Sequence, residues 1–364
     1  MEITIPHKEI KQALELVSRI STKHVTLPIL QCVKISTTKD TILLQATNLE
    51  ISIEVPIVGE VGEVGEVAVP AQIFLQSIQF INDNQITLRT EEQTLLLETK
   101  NSNTSIKIFN TDDFPKLNQI QGEEINIQKN NFSLGIKTVA FAASQTSIKP
   151  ELGSVFIQQK KEHSLTFVST DSFRLMEKTV SQKSLVMDQS IMVPQKNALE
   201  LAKVCDLIEE DPLFIINENQ CALKFPSGVY ISSRLVTGNF PDYVQIIPKE
   251  FSTHTIVLKE DLIKAFKKTS IFLNKFRQVT LTVNNKDLTV SSQNNEIGHT
   301  TDTINAQTEG DDISLSFNQQ YIMDPLSHIT DESIKLSFAG VGRAMVIQGV
   351  SDKNLRYLVM PMNK

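Results

Sequence analysis

The chain repeats itself at a fixed interval, and that interval restricts its possible architecture more than any other property of the sequence. Val69-Pro70 leads into a helical pattern of Phe74, Leu75 and Ile78; Val193-Pro194 leads into Leu199, Leu201 and Ala202; Phe317-Asn318 leads into Tyr321, Ile322 and Leu326. Pro70 and Pro194 stand 124 positions apart, and Asn318 stands a further 124 beyond Pro194. Proline suits the first turn of a helix, where its missing N–H would have no partner. Each phrase therefore predicts a strand that runs into a helix.

A second set of helical patterns precedes the first: Ile10, Ala13, Leu14 and Val17; Phe132, Ile136, Val139 and Ala140; Leu262, Ala265, Phe266 and Thr269. Between the two helices of each unit lie alternating apolar residues that predict strands, as in Ile42, Leu44 and Ala46, in Leu165 and Phe167, and in Val279, Leu281 and Val283. The first two units close on related phrases, Asp113-Phe114-Pro115 and Asn239-Phe240-Pro241-Asp242-Tyr243. The fold class is α+β, with three repeats at roughly 1–121, 122–250 and 251–364, each of two helices on one face of antiparallel sheet. Short junctions predict a stiff arc with unlike ends, and such ends can meet head to tail and close a ring, six repeats from two chains.

The 364 residues, 40% hydrophobic and 21% charged, suit a soluble globular protein of two or three domains. No apolar run approaches the roughly 18 residues that span a bilayer, and Met1-Glu2-Ile3-Thr4-Ile5-Pro6 lacks the pattern of a secretory signal, so a cytoplasmic protein with no membrane partner is expected. Cys32, Cys205 and Cys221 are far apart and set among apolar neighbours, which predicts reduced, buried thiols. A net charge of −7 argues against bulk attraction to nucleic acid but leaves room for a basic lining.

Chemistry of an enzymatic kind is sparse. His7, His24, His163, His254, His299 and His328 show no metal-ligand spacing, and Gly340-Val341-Gly342 lacks the third glycine of a nucleotide fingerprint. No Gly-Lys-Ser or Gly-Lys-Thr phosphate loop occurs. The serine of Thr170-Asp171-Ser172 has no glycine elbow and no neighbouring histidine to act as base. Asp112-Asp113 and Glu209-Glu210-Asp211 read as solvated acids, and the Gly59–Val67 run with glycine at every third place reads as a loop or edge strand. No catalytic residue, metal or cofactor is expected.

Five phrases resemble the bacterial DNA polymerase III beta subunit, or beta sliding clamp, family: Thr26-Leu27-Pro28-Ile29-Leu30, Thr47-Asn48-Leu49-Glu50, Ser169-Thr170-Asp171-Ser172-Phe173-Arg174-Leu175, Phe240-Pro241-Asp242-Tyr243 with Pro248, and Tyr357-Leu358-Val359-Met360-Pro361-Met362. The resemblance covers the whole chain and implies a homodimeric, six-domain ring of the DNA clamp fold. It also implies a non-catalytic processivity factor whose partners are double-stranded DNA, the DNA polymerase III catalytic subunit, an ATP-driven clamp loader, and other polymerases and repair proteins carrying a clamp-binding peptide.

Residues carry over position by position. DNA contact falls to Lys8, Lys11, Arg19, Lys23 and His24 of the first repeat, Lys137, Lys149, Lys196 and Lys203 of the second, and Lys264, Lys267 and Lys268 of the third. A peptide groove between the second and third repeats falls to Leu152, Thr170, Ser172, Phe173, Arg174, Leu175, Pro241, Gln245, Ile246, Ala344, Leu358, Val359, Met360, Pro361 and Met362. Arg174 and backbone groups would orient the peptide, and the methionines would adapt to different partners. The dimer interface falls to Ile73, Phe74, Thr104 and Ile106 against Ile271 and Phe272. The chain departs from common family residues at His24 (arginine), Phe173 (histidine) and Gln245 (arginine in some members).

Overall fold

The computed structural model describes residues 1–21, 26–146, 148–183, 186–284 and 286–362. Six α-helices occur among them, two per repeat as the spacing predicts: α1 (His7–Val17), α2 (Ala71–Gln79), α3 (Lys129–Val139), α4 (Gln195–Leu207), α5 (Lys259–Thr269) and α6 (Gln319–Met323). The apolar positions that define the first helix of each repeat are buried without exception, from Ile10 and Leu14 to Phe132 and Phe266. In the second set Leu199 departs from expectation. It lies on the outward face of α4, 36% exposed, while Leu201 and Ala202 fill the core.

Pro70 and Pro194 do not enter the first turn. Each closes the preceding strand, Glu66–Pro70 or Ile191–Pro194, and the helix starts at the next residue. The strand runs straight into the helix, so one residue serves as both ladder end and cap, with Pro70 still extended at ψ 114°. Asn318 fills the same place in the third repeat, where its side chain accepts from the Gln320 N–H at 2.9 Å.

The chain forms two compact units that do not follow the repeats. The first comprises residues 1–133, 183–187 and 196–235; the second comprises 134–182, 188–195 and 236–364. The middle repeat is shared between them, and the sheets explain how.

In the first unit, strands Ile51–Ile57, Ile42–Thr47, Cys32–Thr37 and Glu66–Pro70 of the first repeat continue into Tyr230–Arg234, Gln220–Lys224, Leu213–Ile216 and Glu123–Asn126 of the second, as one eight-stranded antiparallel sheet. The join is the ladder Ile51↔Ser233, Ser52↔Ser232, Ile53↔Ile231 and Glu54↔Tyr230. A five-stranded sheet of the first repeat, ending at the edge strand Asn103–Lys107, completes the unit. The Gly59–Val67 run supplies the opposite edge of that sheet, Glu60–Glu63, as its composition suggested.

The second unit repeats the plan. Strand Arg174–Ser181 of the second repeat pairs with Leu355–Val359 of the third, Arg174↔Val359 to Lys178↔Leu355, within a nine-stranded sheet. A four-stranded sheet of the third repeat, ending at the edge strand Gly298–Asn305, completes it. Helices cover the sheets: α1 packs on α2 and on strands Ile42–Thr47 and Ile51–Ile57, and α5 packs on α6 and on strands Asp287–Asn294 and Gly298–Asn305.

The three cysteines are buried, and none is in a disulfide. Burial pushes the thiols of Cys32 and Cys221 up to about 12, so neither forms the reactive thiolate at neutral pH.

Close packing has consequences for one helical glycine. At Gly135 of α3 a β-carbon would run into the ring of Phe167 in the strand below, which is why a residue unfavourable to helices stands mid-helix. Gly135→Val is expected to lower stability by roughly 2–3 kcal/mol through overpacking, read as a fall of several degrees in Tm.

Candidate functional site

The first candidate is the set of cationic helix faces. Lys8 of α1, Lys196 of α4, Lys137 of α3, Lys149, and Lys264, Lys267 and Lys268 of α5 are exposed; Lys11 and Lys203 are partly buried. Their placement follows from amphipathicity, since the opposite faces of the same helices carry the core residues. Several cations are already paired within the chain. Arg19 makes a two-pronged contact with Glu200 at 2.8 and 3.1 Å, Lys264 meets Glu260 at 3.2 Å, and Lys268 meets Asp302 at 2.7 Å. Exposed pairs of this kind are weak and exchange readily for a phosphate. Lys23 and His24 lie outside the described residues.

The second candidate lies in the second unit, where strands Arg174–Ser181 and Leu355–Val359 meet. Val168, Leu175, Tyr243, Ala344, Val346 and Leu358 form a buried cluster, with Phe156, Phe240, Ile247 and Phe251 against it. Above this floor four apolar side chains stay in solvent: Phe173 is 61% exposed, Ile246 54%, Val244 52% and Met360 38%. An exposed apolar rim on a buried apolar floor is the physics of a surface that takes apolar side chains.

Local sequence builds the rim. Asp171 Oδ1 accepts from the N–H groups of Phe173 (2.9 Å) and Arg174 (3.0 Å), and Thr170 Oγ1 donates to the Arg174 carbonyl at 2.7 Å. Ser172 sits at φ +77°, a left-handed conformation that turns the chain sharply and sends Phe173 outward. The Met360 N–H then binds the Phe173 carbonyl at 2.8 Å, and the Met362 N–H binds the Ser316 carbonyl at 2.8 Å. Pro241 and Gln245 are exposed on the connecting segment, Pro361 and Met362 half-buried, and Ser172 exposed. Leu175, Ala344 and Leu358 are brought together in the floor, and Thr170 and Val359 are buried beside it. Leu152 is buried in the short helix Pro150–Gly153, outside that cluster.

Arg174 is tied into its own chain. Its Nε binds Asp171 at 3.0 Å, Nη1 binds Asp324, and Nη2 donates to the Phe141 carbonyl at 3.0 Å. Its guanidinium also lies over the rings of Tyr321 (4.6 Å) and Phe141 (5.4 Å). With each nitrogen engaged by its own chain, Arg174 props the turn. Val244 escaped the sequence reading, and Tyr243, though part of the Phe240-Pro241-Asp242-Tyr243 phrase, was not expected in the groove. Asp324 and Phe141 carry no local signal, because only the fold brings them to Arg174.

The third candidate is a pair of sheet-edge strands, Asn103–Lys107 and Gly298–Asn305. Ile73 (53% exposed) stands on α2, which packs on the edge strand Asn103–Lys107 containing Thr104. Ile271 (67% exposed) and the half-buried Phe272 stand on the short helix Ser270–Phe272, which packs on the edge strand Gly298–Asn305. Phe74 and Ile106 do not join them. At 0% and 3% exposure they belong to the core of their own repeat, because each lies on the inward side of its helix or strand.

Among the described residues no group of His, Cys, Asp and Glu could hold a metal ion, and no helix is long and apolar enough to cross a membrane.

Models of the DNA polymerase III beta subunit match the chain three times: the N-terminal domain at residues 1–118, the central domain at 126–242 and the C-terminal domain at 244–363. Beta sliding clamps of Pseudomonas putida and Bacillus subtilis are 27% and 28% identical over 368 and 382 residues, covering the whole of this chain and 100% and 99% of theirs. The crystal structure of the Bacillus subtilis DNA polymerase sliding clamp shares 25% identity at a TM-score of 0.92, covering 100% of this chain and 99% of its own. That of the Pseudomonas aeruginosa DNA polymerase III subunit beta has the same fold, at a TM-score of 0.94 and 24% identity with full coverage of both chains. The chain therefore belongs to the DNA polymerase III beta subunit family, the beta sliding clamps, and serves DNA replication as a processivity factor without catalysing a reaction.

Proposed function

We propose that two copies of this chain, each with its three repeats (roughly 1–121, 122–250 and 251–364) as domains, close head to tail into a cytoplasmic ring around duplex DNA. The ring tethers the DNA polymerase III catalytic subunit and other clients through the groove above the Leu175–Leu358 floor. The observation that carries this reading is the bookkeeping of sheet halves. Each repeat contributes two half-sheets, and twice a half-sheet of one repeat is continued by a half-sheet of the next, at Ile51–Ile57 with Tyr230–Arg234 and at Arg174–Ser181 with Leu355–Val359.

Applying the same pairing once more assigns the edge strands Asn103–Lys107 and Gly298–Asn305. By position in the repeat, Gly298–Asn305 corresponds to Ile51–Ile57 and Arg174–Ser181, and Asn103–Lys107 corresponds to Tyr230–Arg234 and Leu355–Val359. Their antiparallel pairing between two chains would satisfy both rows of main-chain groups. Ile73 would then flank one edge and Ile271 with Phe272 the other, an apolar supplement to the ladder.

A closed ring retains DNA by topology, so its contacts can be weak and indifferent to sequence. Lysines on helix faces suit this, since phosphate attraction and counterion release read no base edges. Entry onto a closed circle then requires a separate ATP-driven loader, because the sequence contains no phosphate loop of the Gly-Lys-Ser or Gly-Lys-Thr kind. The apolar groove accepts client peptides one at a time, polymerase or repair protein, through side chains that fill the floor.

Three outcomes test the proposal. Ile271→Glu should convert the dimer to monomer, seen as a halved mass in sedimentation, while Tm of the monomer is unchanged; a mass that stays doubled would refute the edge pairing. Ile246→Asp should weaken a client peptide about ten- to a hundredfold by removing apolar burial, with the dimer intact in the same sedimentation assay. Lys267→Ala should lower the slope of log affinity against log salt by about one for DNA held in the ring, and ring retention should persist on circular but not linear DNA.

A further inference from the structure

One wall of the groove is a connecting segment, residues 240–247, and connectors are ordinarily among the more mobile parts of a chain. This one is held from beneath. Tyr243 is 4% exposed, its ring lies in the floor beside Leu175 and Leu358, and it meets Phe240 edge-on at 6.2 Å while Phe240 stacks on Phe156 at 4.6 Å. The Tyr243 hydroxyl donates to Glu177 Oε2 at 2.7 Å and accepts from Gln158 Nε2 at 3.1 Å. Glu177 is itself 9% exposed, and its charge is balanced by Lys160 at 2.5 Å and Arg356 at 3.8 Å. Burial, and then the neighbouring carboxylate, hold the phenol well above its ordinary range, so it remains a donor.

The first unit contains the same device in a looser form. Glu54 stands three residues into strand Ile51–Ile57, as Glu177 stands three residues into Arg174–Ser181. Its Oε2 accepts from Gln119 of the connector that leaves the first repeat, at 3.4 Å and in solvent. A carboxylate at one ladder position thus grips the outgoing connector twice in the chain. In the first unit a buried tyrosine also holds the connector, Tyr230 accepting from the Ile120 N–H at 2.8 Å, but only in the second do tyrosine hydroxyl and buried carboxylate bond to each other.

Resting on the groove reading above, we propose that Glu177 and Tyr243 are positioning residues for client binding: the buried carboxylate fixes the connector, and through it Val244 and Ile246, opposite Phe173 and Met360. Neither residue has the exposure to contact a peptide substantially, so their effect on affinity is transmitted through the wall. Charge-assisted hydrogen bonds to buried carboxylates are among the stronger ones, which suits this duty.

The test uses the full-length dimer and a fluorescein-labelled clamp-binding peptide from the DNA polymerase III catalytic subunit of the same organism, read by anisotropy and stopped-flow dissociation. Tyr243→Phe keeps the ring and its stacking and removes only the O–H. Affinity is expected to fall roughly five- to tenfold, mostly through faster dissociation. Glu177→Gln should produce a similar loss, and the double variant should lose no more than the larger single, the signature of one shared contact. Affinity within twofold of the unaltered chain in Tyr243→Phe, while Ile246→Asp abolishes binding, would overturn the positioning role and leave the groove standing. Full affinity in all of these variants would overturn both. A drop in Tm for Tyr243→Phe without any change in dissociation rate would also count against the proposal, since a purely structural bond gives that result.

Discussion

Main-chain pairing between repeats is the interaction on which the remaining structure depends. Where Ile51–Ile57 meets Tyr230–Arg234, and where Arg174–Ser181 meets Leu355–Val359, one repeat's sheet continues into the next. A ladder of this kind uses N–H and C=O groups that every residue but proline carries, so it constrains direction and spacing while leaving side chains free. That freedom accounts for a fold held at a TM-score above 0.9 while identity to the compared relatives is only 24–28%. It also accounts for the division of the middle repeat, whose two half-sheets belong to different compact units.

The groove inherits its rigidity from that join. Its floor residues Leu175 and Leu358 are direct partners across the inter-repeat ladder, so this apolar surface is built by the pairing itself. Polar groups work around it in supporting roles: Asp171 shapes the turn, Arg174 fills the space under it with Asp324, Phe141 and Tyr321, and Glu177 receives the connector. Directed polar contacts thus fix the geometry of an apolar surface. The cationic helix faces follow the opposite rule, with exposed lysines and no enclosing pocket, an arrangement suited to contacts that do not read sequence.

Local periodicity made the architecture legible in the sequence. Period-3.6 and period-2 patterns located helices and strands, and the 124-residue interval located their repetition. Side-chain direction was harder to read. Leu199 is apolar yet faces outward, Phe74 is interior although it neighbours exposed Ile73, and Ile106 is interior between exposed Ser105 and Lys107. A one-residue step along a helix or strand changes the face, and resemblance to a family does not resolve it. The partners of Arg174 were illegible for another reason: Asp324 stands 150 positions away, and no short-range rule connects them.

Cys32 and Cys221 offer a practical dividend. Thiols sequestered from solvent, with ionisation suppressed at neutral pH, react sluggishly with maleimides, and Cys205 is equally enclosed. A single cysteine added at any outward position would carry a dye or spin label selectively in the otherwise natural chain, so breathing of the assembled protein can be followed without a cysteine-free background.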